Sequence, residues 1–297
     1  MQPTYRFDTM ADLVALAEGN GITLAEVALR HEVALGHHDR EVILVAMRER
    51  WATMRRSMEM GLEAPQRTMG GLSHGAGQVM SGHRPVLVDQ TAAGVMARAL
   101  AVNECSAAMR RIVAAPTAGS SGILPAALWG AQQRLGCDDE AVVMALFTAA
   151  ALGMVIANRA TISGAQAGCM AEVGVSAAMA AGAMAEMAGA SPDAAIQAMA
   201  LALKNTLGLV CDPIGGYVEV PCIKRNAIFA IHATTAAEMA LAGIRSFVPA
   251  DQVISAMKEI GEAMPKKLKE TSQGGLATTL IGLEVMAKRP RVDHGQG

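Results

Sequence analysis

The stretch VSAAMAAGAMAEMAGA, from Val175 to Ala190, constrains the fold of this chain more than any other segment. Its small side chains let helix backbones come close together, and its methionines fill the irregular gaps that close approach leaves. A Met stripe at helical spacing is a packing feature before it is a copper or partner site. Ahead of it, Ala141 to Ala157 carries no charge at all. Runs of alternating β-branched residues are scarce, so no sheet is expected. The expectation is an all-α fold: a single large helical domain over 1–297, with an N-terminal helical segment at 1–67 and a frayed tail at 288–297.

Local signals place several of the helices. Thr23-Leu24-Ala25-Glu26 has the form of a capping box, in which the Thr oxygen accepts an orphan amide and the Glu reaches back to the cap. Asp39 is a candidate cap for an amphipathic helix running through Trp51 to about Gly61. Ser191-Pro192-Asp193 supplies a cap, a proline at the first helical position and an acid in the first turn. Pro249 and Asp251 predict a further start. No repeat of fixed period is visible.

Composition decides what such a bundle is for. Hydrophobic residues make up 52% and charged residues 18% of the 297 residues, so the apolar surplus must go into a core, an interface or a membrane. Ala141–Ala157 is short for a span and lacks flanking Trp or Tyr, which favours a buried core helix and no membrane. Net charge is -2 and aromatics are 3%, which argues against a nucleic-acid partner. Arg6, Asp8 and Asp12 interrupt any early apolar run, so no signal peptide is expected. Five cysteines without a secretory cue read as reduced cytoplasmic thiols or metal ligands.

Two loops and three cysteines could carry chemistry. TMGGLSHGAG (Thr68 to Gly77) and APTAGSSGILP (Ala115 to Pro125) are rich in Gly and hydroxyls. The second has the makings of an anion cradle at the start of a helix after Gly122. Neither is a Walker A loop or a dinucleotide fingerprint. Cys169, Cys211 and Cys222 each sit within two residues of Gly or Pro, where backbone can fold tightly around a bulky group. Their separations, 42 (211 minus 169) and 11 (222 minus 211), are not zinc-ribbon spacings. From composition alone, buried core thiols are the favoured reading of these three, and Cys105 and Cys137, in helical surroundings, read the same way.

Together, ISGAQAGCMAEVG (Ile162 to Gly174), NTLGLVCDPIGG (Asn205 to Gly216) and VEVPCIKRNA (Val218 to Ala227) resemble the signature of the iron-sulfur-dependent L-serine dehydratases. APTAGSSGILP and KETSQGGLA (Lys269 to Ala277) match the same family in the same order, so the resemblance runs from about Thr68 to Ala277. It implies a helical catalytic domain with Gly-rich loops converging on a 4Fe-4S cluster held by Cys169, Cys211 and Cys222. Four thiolates are the usual complement. Three leave one iron open as a Lewis acid for the hydroxyl of L-serine, which is dehydrated and deaminated to pyruvate and ammonia. The family's second module is not resembled by any segment here, so the chain is expected to be an α subunit with a serine dehydratase β subunit as partner in a hetero-oligomer. Some fused members end in a cysteine that occupies the open iron; this chain ends in HGQG, and that protection is expected to be absent. A related lyase acting on threonine or cysteine is the alternative.

Within that frame, Thr117, Ser120 and Ser121 are candidates to hold the substrate carboxylate, with helix capping as their bland role. Thr271 and Ser272 carry the same expectation, and Ser272 could instead cap a terminal helix. His74 and Lys224 are candidate bases: a neutral imidazole in a Gly-rich flexible loop, and a lysine two residues past a cluster ligand. Arg225 could lower the Lys224 pKa or bind the carboxylate itself. Asn158, Asn205, Asn226 and Glu172 could tune the cluster from its surroundings or simply satisfy loop backbone. His232, on an apolar helix, reads as a satisfied core residue.

Overall fold

In a computed structural model, which describes residues 5–36 and 39–288, the chain is helical and the described residues contain no strand. The tail beyond Lys288 lies outside the described residues. The first layer is α1 (Met10–Asn20), α2 (Leu24–Gly36) and α3 (Arg40–Glu63), followed by α4 (Ala76–Gly82) and α5 (Gln90–Ala107). Then come α6 (Ile123–Leu135), α7 (Asp139–Arg159), the short α8 (Gly164–Ala167), α9 (Val175–Met187) and α10 (Pro192–Lys204). The series closes with α11 (Cys222–Leu241), α12 (Ala250–Ala263) and α13 (Leu280–Ala287).

Helix α9 is the axis of the molecule, packed by α6, α7, α10 and α11, with nearly every side chain buried. Its composition makes this possible. A Cβ at Gly182 would collide with Leu152 of α7 and lie 3.1 Å from the Ala195 carbonyl of α10. Gly153 of α7 receives Met179 of α9 in the same way, 2.9 Å from where a Cβ would stand. Close backbone approach at small residues, plugged by Met, is the packing the sequence implies. Among the described residues, α7 alone is long and apolar enough to cross a membrane, yet 67% of its apolar window is buried against protein. The 1–67 helices join the same continuous core through Leu13, Leu24, Leu29 and Trp51.

The caps follow the sequence with two corrections. Ser191 accepts from the Ala194 amide with Pro192 opening α10, and Asp251, in the first turn of α12, also accepts from the Met10 and Ala11 amides of α1. At α2 the expected capping box is half made. Thr23 Oγ1 accepts from the Glu26 amide at 3.1 Å, but the Glu26 carboxylate turns away to Arg30 and Arg40. The Leu24 and Ala25 amides are capped instead by Glu186 from the end of α9, which also takes the Thr148 hydroxyl. A long-range carboxylate wins because Glu186 is half-buried there and needs donors, whereas Glu26 finds two guanidinium groups nearby. Burial pushes the Glu186 carboxyl above its ordinary value, while the Thr148 hydroxyl and the two amides pull it down. Asp39 precedes α3 but makes no side-chain cap, although the helix runs as expected past Trp51.

Candidate metal centre and its loops

Three loops between the core helices bring the distant cysteines together. Cys169 ends a turn after Gly168, whose φ of +70° and close approach to the Leu209 carbonyl leave no room for a side chain. It opens a single π-helical turn, Met170–Gly174, that leads into α9. Such widened turns re-aim side chains and recur at functional sites. Cys211 lies on an extended segment clamped by 268–270: its amide donates to the Leu268 carbonyl, and its carbonyl accepts from the Glu270 amide. Cys222 is the first residue of α11, where the helix dipole favours a thiolate. All three are buried and none forms a disulfide.

The donor set extends beyond sulfur. Ligand atoms of Cys169, Glu172 and Cys211 lie within 4.8 Å of one another. Cys211 shares its proton with Cys169, which holds Cys169 toward the thiolate against the cost of burial, with Arg225 helping. Cys211 is correspondingly pushed up, by that hydrogen bond and by burial. Burial first, and then the charge of Cys169, push Cys222 up as well. Burial raises Glu172, opposed by a hydrogen bond from Thr117, with the nearby Glu270 charge adding to the rise. Buried thiols that resist ionisation are relieved when a metal ion takes the place of their protons.

Arg225 is drawn into this centre. Its guanidinium donates to Cys169 Sγ at 3.3 Å, to the Val210 carbonyl at 3.0 Å and to Asp212 Oδ1 at 3.0 Å. Asp212 is buried and also accepts from the Leu276 amide at 2.9 Å, tying the KETSQGGLA loop to the cysteines. Asn226 fixes the other side: its Oδ1 accepts from Gly122, and its Nδ2 donates to the Gly119 and Cys222 carbonyls. A Cβ at Gly122 would strike the Ala99 carbonyl, so the hydroxyl loop is pressed directly onto α5.

The remaining candidates divide. Ser120 and Ser121 are fully buried, with hydroxyls donated to backbone carbonyls of their own turn. Thr117 reaches both Ser120 and Glu172 and is half-buried, so of the three it faces the centre. Thr271 donates to the Lys267 carbonyl. Ser272 ties its strained turn, at φ 56°, to the Pro213 carbonyl; the helix cap at α13 is Thr279 instead. His74 is exposed, and its loop is far from slack. Buried Glu219 accepts from Thr68 Oγ1 and from the Gly70 and Leu72 amides. Buried Glu104 accepts from Ser73 and from the Ala76 and Gly77 amides. Carboxylates, which accept only, turn an amide-rich glycine loop into a fixed one. Lys224 is exposed, with Nζ 3.4 Å from Ser73 Oγ, so both candidate bases border one loop. Asn205 caps its own helix at the Leu201 carbonyl, Asn158 is exposed, and His232 bonds the Ala202 carbonyl, as a core histidine does. Sequence reasoning missed Glu104, Asp212 and Glu219. Their signals were a Glu in the apolar run of α5 and two acids flanking cysteines inside motifs.

The fold and centre define an all-helical protein in which loops deliver buried thiols and a carboxylate to a site able to hold a metal. Residues 19–277 match the model of the family described as serine dehydratase alpha chain, and the chain belongs to that family. It is 42% identical over 292 residues to a protein of Bacillus subtilis named probable L-serine dehydratase, alpha chain, covering 95% of each. A protein of the same name in Latilactobacillus sakei is 53% identical over 185 residues, 62% of this chain and 88% of that one. In Streptomyces coelicolor a protein named L-serine dehydratase is 39% identical over 285 residues; these are 93% of this chain but 62% of that longer one.

Proposed function

We propose that this chain is the catalytic α subunit of an L-serine dehydratase, a cytoplasmic lyase that converts L-serine to pyruvate and ammonia. The observation that carries the reading is the convergence of Cys169, Cys211 and Cys222, three buried free thiols from three separate family motifs. They would hold a 4Fe-4S cluster. The donor set fits it: thiolates are the ligands such clusters take, and Arg225 is already aimed at one sulfur as an outer partner. When bound, a cluster with one iron lacking a thiolate supplies Lewis acidity for the departing serine hydroxyl.

The chain's own residues do the rest. The loop 115–122, braced by Asn226, presents Thr117 toward the centre, where its hydroxyl suits the substrate carboxylate. Ser120 and Ser121 act by shaping that loop, since their hydroxyls are spent on its backbone. Thr271 and Ser272 likewise hold the 269–277 loop in its turn. Arg225 secures Cys169 and Asp212. For the α-proton, His74 follows Ser73 on a loop rigid enough to position a base, and Lys224 of α11 reaches the same Ser73 with its Nζ. Loss of the α-proton and the hydroxyl gives aminoacrylate, which tautomerises to the imine and is hydrolysed to pyruvate and ammonia. A β subunit completes the enzyme, in keeping with the alpha-chain designation of the family.

The test is anaerobic purification with iron and sulfide quantified, then a pyruvate assay on L-serine with and without the β subunit. A brown protein carrying about four irons per chain and β-dependent pyruvate formation would support the reading. A brown protein inert toward serine would send the substrate assignment elsewhere, and a colourless one would end the cluster assignment.

A further inference from the structure

Away from the metal centre, α5 carries a half-buried cation that the fold does not neutralise. The Arg98 guanidinium lies over the Trp129 indole of α6, with Cζ 3.4 Å from the ring centroid. So short a separation requires the two planes to be near parallel, which leaves the guanidinium N–H donors pointing edgewise. Gly94, one turn earlier, makes room for the stack: a Cβ there would stand 2.8 Å from the indole and 3.3 Å from Arg98 Nη1. Nη1 donates to the Gly94 carbonyl at 3.3 Å, and Arg98 makes no ion pair among the described residues. The acids near it are engaged elsewhere. Asp139 is taken by Arg55, Trp51 and Gln132, and the exposed Glu59 is held only loosely by Arg56 at 3.9 Å. Burial presses the Arg98 pKa below its ordinary value, and the charge of Glu59 opposes that.

This cation faces a cavity of about 490 Å³, lined also by Glu59, Trp129, Gln132, Gln133 and Cys137. The volume lies in the range of small-molecule sites. None of its lining residues belongs to the metal centre. An unpaired guanidinium fork suits a carboxylate, which it can bind through two parallel hydrogen bonds. A bare anion would meet the charge of Glu59 across the same cavity, whereas a zwitterion satisfies both groups at once. The two glutamine amides add donors and acceptors between them. We propose that this cavity is a binding site for a free α-amino acid, its carboxylate on the Arg98 fork and its ammonium group toward Glu59. The Trp129 face forms the apolar wall beside the ligand, and the site is distinct from the one at which the cysteine loops converge.

L-Alanine is the probe, because it has no hydroxyl to eliminate. It is titrated into the full-length Trp51→Phe protein, in which Trp129 is the remaining tryptophan of the two. The expected result is a saturable change in Trp129 emission at about millimolar concentration, matched by equilibrium dialysis of radiolabelled L-alanine against the wild type. In dialysis, Arg98→Gln should weaken binding at least about tenfold, the loss of a charged hydrogen-bonded pair, and Arg98→Lys should fall between. Propionate, which lacks the ammonium group, should bind at least about tenfold more weakly than L-alanine. Glu59→Gln, at an exposed position, should weaken L-alanine and leave propionate unchanged or tighter. Cys169→Ser, which breaks the metal centre, should bind L-alanine as its parent does. Circular dichroism verifies that each variant is folded. A flat emission titration, wild-type affinity in Arg98→Gln, or propionate binding as tightly as L-alanine would each overturn the proposal. Loss of binding in folded Cys169→Ser would also overturn it, by moving the ligand to the metal centre.

Discussion

Replacing Glu219 by Ala removes one side chain that holds an entire loop. Its carboxylate is buried and takes three donors: Thr68 Oγ1 at 2.7 Å, the Gly70 amide at 2.5 Å and the Leu72 amide at 2.8 Å. Hydrogen bonds to a charged group contribute about 1.5–3 kcal/mol each, so the gross loss is roughly 4.5–9 kcal/mol. Part returns because the buried charge itself goes, along with its desolvation cost, and because water enters the space. A net loss of about 3–5 kcal/mol is expected, in the range for breaking a buried charged network. If the loop opens locally, the loss appears there first. Native-state hydrogen exchange should then show the Gly70 and Leu72 amides exchanging at least about 100-fold faster, equivalent to about 2.7 kcal/mol. Urea unfolding reports the global share. Because the same loop carries His74, serine turnover should fall even where far-UV circular dichroism is unchanged. Wild-type exchange at both amides, or a stability loss below about 1 kcal/mol, would refute the view that Glu219 organises this loop.

Serine substituted singly at Cys169, Cys211 or Cys222 should abolish iron retention after anaerobic purification, whereas Cys105→Ser should keep it. The Cys105 thiol is buried in α5, where it donates to the Ser57 carbonyl of α3 at 3.5 Å and not to a residue of the metal centre. Gly182→Ala should lower stability by about 1–3 kcal/mol, read as a depressed Tm, because its Cβ has nowhere to go between α7 and α10. Glu26→Gln should flatten the acid limb of the stability curve. Hydrogen bonding to Arg40, and then to Arg30, holds the Glu26 carboxyl below the usual carboxylate range. Its contribution is therefore complete above the unfolded-state value and is lost as pH falls through the folded one. Urea titrations of both proteins across that interval would show it; identical slopes would contradict the assignment.

Much of the architecture was legible in residue order, because helices are specified by neighbours three and four positions apart. Ser191-Pro192 starts α10 as read, Pro249 and Asp251 start α12, and the Ala/Gly/Met run becomes the buried axis that small residues permit. The cysteine motifs were visible too, and with them the family. What the residue order left open was every choice between distant partners. Thr23 and Glu26 promised a closed capping box, but Glu186, more than 150 residues away, took the amides. Arg225 read as a cation for Lys224 or for the substrate carboxylate, yet the fold spends it on Cys169 and Asp212. Gly-rich 68–77 read as flexible, and two buried carboxylates from other elements make it rigid. Local preference is additive along the chain and survives in any context. A buried carboxylate, thiol or guanidinium must be satisfied wherever the packed chain offers a partner, and only the tertiary structure decides which partner that is.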